Sequence, residues 1–274
     1  MSLNFSGSPD PSVPEFNFCA YESEYLKQLS DMSGIDLKFI DMKNDFMKSK
    51  SFCSWVHSQW SHSGSNIPLR EDPVSILTEA KEGERFRCVE YSILLHGILC
   101  TAGIRARVLY LRTADVENRK IGAGHVVVES FTEIHKKWVM FDPQNNVYAE
   151  VDGIPLNAFE LGQVLENAPD SVSIPGMGRF FRKKYISFIQ QYLYYFHTDI
   201  KMAYPQNYPR TQVVLMPIGS KVPEKFQGTP IKEAIIPTNS YSSFYPEQTE
   251  AHCGYGKADR KKQPGKSHGS HKIR

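Results

Sequence analysis

The chain of 274 residues has no CxxC pair, and its five cysteines, Cys19, Cys53, Cys88, Cys100 and Cys253, are an odd number at irregular spacing. That argues against a disulfide framework and against a tetrahedral cysteine zinc site. It also lacks a DxDxDG-type calcium loop, so calcium activation has no support. No metal or other cofactor is expected. Nowhere does an apolar run approach the roughly 18 residues of a helical membrane span. The N-terminus MSLNFSGSPDPSVPEF has neither the basic nor the apolar region of an export signal, so a cytoplasmic location is expected. Internal repeats are missing too.

Charge of one sign is also scarce, with 32 Lys+Arg against 30 Asp+Glu and a formal net charge of +2. The balance hides an asymmetry. Residues 251–274 carry seven Lys/Arg and one acid, while the rest of the chain carries 25 basic and 29 acidic residues. The tail, rich in Gly and Lys, reads as disordered. Its His252, Cys253, His268 and His271 match no zinc spacing. Without aromatic interleaving it marks no specific nucleic-acid partner.

What remains is an ordinary globular composition, 41% hydrophobic and 23% charged, long enough to bury a core without covalent staples. Residues 1–20 read as an irregular Pro/Ser/Asn-rich lead-in, 21–250 as one domain with a helix and strand extension over 178–250, and 251–274 as the basic tail. Apolar spacing predicts a helix from Asp45 to His62 and a second from Asp72 to Ala80, capped by Asp72 with Pro73 in its first turn. CVEYSILLHGILC is too long and too apolar for a strand and predicts a buried helix from Cys88 that Gly103 stops. Strands are expected over Arg105–Leu111, His125–Phe131, Lys137–Asp142 and Gln212–Ile218, with a helix over Pro155–Leu165. From Phe181 to Phe196 an aromatic stripe at helical spacing reads as core, and no site is assigned to it.

Chemistry gathers at the ends of these elements. Cys88 stands where a polar loop becomes a helix, facing unpaired N–H groups and following Arg85 and Arg87, conditions that favour a thiolate. Cys100, near the other end of that helix, reads as a small core hydrophobe. A thiolate in acyl chemistry needs a general base, and the base needs an orienting group. His125 begins a strand after GAG. If the hairpin turn is Thr132–His135, Phe131 pairs with Lys136 and His125 with Asp142, which puts carboxylate and imidazole on one face. A slip of one residue would separate them. His96, two helical turns beyond Cys88, is either a support for Cys88 or a buried, hydrogen-bonded histidine. Glu90 reads as complementing the helix dipole. Asn145 and Asn146 do not fit a papain-like orienter, whose histidine follows the cysteine at much longer spacing.

FRCVEYSILLHGILCTAGIRARVLYL, followed by GHVVVESF and KWVMFDPQ, resembles the core of the transglutaminase-like superfamily of cysteine enzymes, including bacterial cysteine protease types, over roughly Trp55–Leu161. The steps of 37 residues from Cys88 to His125 and 17 from His125 to Asp142 are similar to those of the family. The resemblance implies an α+β fold of papain-like/transglutaminase type, with the Cys helix packed on a small antiparallel sheet. It implies Cys88 as nucleophile, His125 as base and later acid, Asp142 as orienter, and the backbone N–H of Cys88 as half of an oxyanion hole. An upstream side chain supplies the other half in the family, and Gln59 and Trp60 are the candidates. The CxxC zinc pairs of peptide N-glycanase relatives are missing. The expected activity is cysteine-dependent acyl transfer on the amide bonds of a peptide or protein, ending in hydrolysis or in amine transfer. The alternatives are a non-catalytic peptide-binding module and an arylamine-type acyltransferase.

Overall fold

In the computed structural model, residues 3–19, 23–35, 42, 44–206 and 208–246 are described. The basic tail with Cys253 lies outside them. Helix α4 (Cys88–Thr101) is the axis of the fold, with every residue from Glu90 to Cys100 buried. Its N-terminus is closed by Glu90, which accepts the Arg87 backbone N–H at 3.0 Å and pairs with the Arg87 guanidinium. A carboxylate there also complements the helix dipole. Gly103, at φ 69°, turns the chain out of the helix.

Three helices pack around α4: α1 (Glu24–Ser33), α2 (Asp45–His57) and α3 (Pro73–Lys81). Gly97 permits the closest approach, since a Cβ there would lie 2.5 Å from Pro73 Cγ and 2.9 Å from Leu29 Cδ2. Asp72 caps α3 as expected, accepting from Ser75 N.

The central sheet contains β1 (Ala106–Arg112), β2 (Gly124–Thr132) and β3 (Lys137–Phe141). A two-stranded ribbon follows, β4 (Glu150–Val151) with β5 (Ile154–Pro155), then helices α5 (Ala158–Asn167) and α6 (Arg179–Gln190). Strands β6 (Tyr195–Asp199) and β7 (Thr211–Leu215) return to the sheet. A second ribbon, β8 (Lys225–Phe226) with β9 (Thr229–Pro230), leads to β10 (Ala234–Thr238) and the short α7 (Tyr241–Phe244). The sheet order is β10-β7-β6-β1-β2-β3, antiparallel throughout except for the parallel β10–β7 pair. The fold is thus α+β, with a larger sheet than the resemblance implied.

Side-chain alternation sorts two cores. Val128, Val139 and Phe141 face α1–α4, while Val127 and Met140 face α5 and α6. The lead-in is irregular but anchored, since Phe16 is buried and Ser6 and Asn17 bridge Ser240 and Lys201. Arg107 and Glu129 form a fully buried ion pair at 2.7 Å. It fastens α7, because Arg107 donates to Phe244 O and Tyr245 donates to Glu129.

Three expectations are corrected. The hairpin turn is Glu133–Lys136, with Thr132 paired to Lys137 and Phe131 to Trp138, a register displaced by two residues. Lys136 takes φ 54° in that turn. The aromatic stripe does not run as one helix: α6 stops at Gln190, and Phe196 lies in β6. The first predicted helix ends at His57 rather than His62.

Candidate active site

Cys88 is the first residue of α4 and is partly exposed. His125 is the second residue of β2, and Asp142 follows β3; both are buried. Gly124 admits the close strand crossing, since a Cβ there would sit 3.2 Å from the Leu111 carbonyl. His125 Nε2 meets Asp142 Oδ2 at 2.8 Å, and the Cys88 sulfur lies close enough to the same ring to raise its basicity. Nδ1 is the ring nitrogen not engaged by Asp142. The two-residue register shift preserves this meeting. A shift of two keeps both residues on one face, diagonal rather than directly opposite.

Asp142 accepts from four donors. Oδ2 takes His125, the Asn145 side-chain amide at 2.8 Å and the Tyr185 hydroxyl at 3.1 Å; Oδ1 takes Asn145 N at 3.1 Å. Burial opposes its charge, yet His125 and then Asn145 hold the carboxyl below its ordinary range. Burial also opposes the imidazolium of His125. Asp142 first and Cys88 second outweigh it, and the ring is pushed up to about 10. Burial and then Asp142 push the nearby Cys53 thiol well up, so it stays a protonated core residue.

Helix α6 and the turn that follows it roof the pair. Phe188 meets the His125 ring edge-on with centroids 5.0 Å apart, Tyr192 lies at 5.9 Å, and Tyr185 bonds Asp142. These residues belong to the aromatic stripe that reads as core from sequence, and the spacing of Asn145 fits no papain-like orienter. A tyrosine at i+4 from an exposed Phe181 was the available signal, but it identifies a helix face without saying what that face covers. His62, in the loop after α2, is held below its ordinary value by partial burial and by His125.

The two upstream candidates separate. Gln59 Nε2 is spent on Trp55 O at 2.8 Å and Ser58 Oγ at 3.2 Å. The indole N–H of Trp60 is buried with no partner among the described residues. Its ring packs on Tyr91 at 4.4 Å and Phe86 at 5.5 Å, which flank Cys88 in sequence. His96 does not support Cys88. Eight residues along α4 it is about 12 Å away by helical rise, bonded through Nδ1 to the Tyr204 hydroxyl at 2.8 Å and through Nε2 to Ala106 O at 3.2 Å. Burial pushes it down to about 4, a neutral core histidine. Among the described residues no cluster of three or more His, Cys, Asp or Glu side chains is arranged to hold a metal. Nor is any helix among them long and apolar enough to cross a membrane.

An α+β scaffold that sets a helix-initial cysteine beside a strand-initial histidine and a buried aspartate is one frame of cysteine-enzyme chemistry. Residues 40–143 match the family model of the Transglutaminase-like superfamily. Members of that superfamily are typically cysteine-dependent. Among solved structures, a Cytophaga hutchinsonii protein described as a candidate cysteine protease is similar at 14% identity and a TM-score of 0.34, over 61% of this chain and 50% of its own. Red sea bream transglutaminase is similar at 10% identity and a TM-score of 0.35, over 75% of this chain and 40% of its own. The chain therefore spans half or less of each of them. No curated protein matches it.

Proposed function

We infer that the chain is a cysteine-dependent acyl-transfer enzyme acting on amide bonds of a peptide or protein. The observation that carries this reading is a helix-initial Cys88 beside a buried His125 that is hydrogen-bonded to an Asp142 held by four donors. The Cys88 sulfur adds to the amide carbonyl carbon while its proton resides on His125. The oxyanion draws on the Cys88 backbone N–H and the unpartnered Trp60 indole. Collapse breaks the carbon–nitrogen bond, and His125 delivers the proton to the departing amine. The thioester on Cys88 is resolved by water, as in a protease or amidase, or by an amine, as in a transglutaminase. His125 accepts the incoming proton in either case.

Iodoacetamide labelling followed by peptide mass mapping tests the first step. Cys88 is expected to react much faster than Cys53 and Cys100. His125→Ala is expected to remove that advantage, and Cys88→Ala to abolish turnover with the fold intact. Equal reactivity of Cys88 and Cys100 in the native chain sinks the proposal.

A further inference from the structure

A cleft of about 550 Å³ adjoins the Asp142 side of this site, lined among others by Lys50, His57, Asn145, Tyr148, Met177 and Phe181. It abuts the reacting groups twice over. Asn145 holds Asp142, and Phe181 sits four residues before Tyr185, hence on the same helix face. One face of α6 therefore runs from the cleft rim to the carboxylate.

Two features of this rim and of the α6 turns beside it are not explained by folding. Phe181 is 62% exposed and the adjacent Phe180 is 74% exposed, a paired aromatic surface of the kind that marks binding sites. The first two turns of α6 also carry Arg179, Arg182, Lys183 and Lys184, with no acid in the first turn and no side-chain cap. Cations there oppose the helix dipole, so helix stability does not account for them. Arg182 is committed to Val172 O and Asp170. Arg179, Lys183 and Lys184 have no ion-pair partner among the described residues, and neither does Lys50 across the cleft, which lies 5.6 Å from the Tyr148 ring. None of the described lining residues is acidic; Glu150, outside the lining, adds to burial in holding the Tyr148 phenol above its ordinary value.

We propose that this cleft holds an acidic, aromatic-bearing stretch of the peptide substrate, flanking the amide presented to Cys88. Lys50 in the lining and the α6 cations beside the cleft complement the carboxylates, and Phe181, Met177 and Tyr148 pack the aromatic side chain. The assignment rests on the acyl-transfer reading above.

The test is fluorescence anisotropy on the full chain carrying Cys88→Ala, with fluorescein-labelled Gly-Glu-Asp-Phe-Glu-Gln-Asp-Phe-Gly, its counterpart with Lys at every acidic position, and one with Ser for Phe. The acidic Phe peptide is expected to bind about tenfold or more tighter than either counterpart, and more weakly as salt rises. Phe181→Ala and the pair Lys183→Glu with Lys184→Glu are each expected to remove that preference. All three positions are exposed, so unchanged circular dichroism certifies the fold. Equal binding of the three peptides overturns the proposal, as does a preference that survives both variants. So does Phe180-dependent sedimentation with phosphatidylserine vesicles in place of peptide binding, which would make the rim a membrane contact. Cys88 alkylation in the unmodified chain separates the two readings. Selective peptide binding without a reactive Cys88 refutes the enzyme and spares the cleft; a reactive Cys88 with no peptide preference does the reverse.

Discussion

Asp142→Asn removes the charge that keeps His125 protonated, and its effect can be sized. In the native site burial works against the imidazolium, Asp142 and then Cys88 overcome it, and the ring is pushed up from 6.5 to about 10. A folded-state value above the unfolded one means that the protonated ring stabilises the fold. That contribution is complete below about pH 6.5 and is lost as pH rises through about 10. At about 1.36 kcal/mol per unit, the interval of some 3.5 units sets a ceiling of about 5 kcal/mol. In the Asn variant burial is opposed only by Cys88, so the midpoint falls below 6.5, the loss of stability between pH 6.5 and 10 disappears, and acid becomes destabilising instead. The variant amide also meets donors from Asn145 and Tyr185, a further loss at every pH. Histidine NMR titration reads the midpoint, and urea unfolding at pH 6.5 and 9.5 reads the stability. Tyr185→Phe is the control: it keeps the charge and should leave the midpoint within about one unit. A native midpoint near 6.5, or one unmoved by Asp142→Asn, refutes the reasoning.

Trp60→Phe keeps the ring packing and removes the indole donor; acylation by p-nitrophenyl acetate should slow by roughly 10²–10³-fold, with iodoacetamide labelling of Cys88 retained. Gly97→Ala drives a methyl group to 2.5 Å from Pro73 and should lower stability by about 1–3 kcal/mol, read as a fall in thermal midpoint. Arg107→Met leaves Glu129 charged and buried beneath α7, a loss of about 3–5 kcal/mol by urea unfolding. The double variant Arg107→Met with Glu129→Gln should recover part of it.

The His125–Asp142 pairing was legible because it depends on local quantities, a strand start and hairpin parity, whereas the approach of Cys88 to His125 came only from the family resemblance. The turn position was misread by one residue and the pairing by two, since Lys136 entering the left-handed region leaves no mark that composition detects. Parity survived, so the carboxylate still met the imidazole. His96 was ambiguous because helical periodicity gives a face and not the partner that occupies it; Tyr204, 108 residues away, took it. The roof was illegible for the same reason. Tyr185, Phe188 and Tyr192 look like any core stripe until β6 carries the chain back beside β1. The strands β8 to β10 fall where Pro, Ser and Tyr obscure alternation.

That return of β6 has a consequence for the autonomy of the matched core. Strand β1 is hydrogen-bonded on one side to β2 and on the other to β6, through Tyr110↔His197 and Leu111↔Phe196. Residues 40–143 cut away from the rest would expose β1 as a raw sheet edge, an invitation to aggregate. They would also take the Tyr185 hydroxyl from Asp142. Cys88, His125 and Asp142 are encoded in that segment, but the dry, edge-free setting in which they sit is encoded after it.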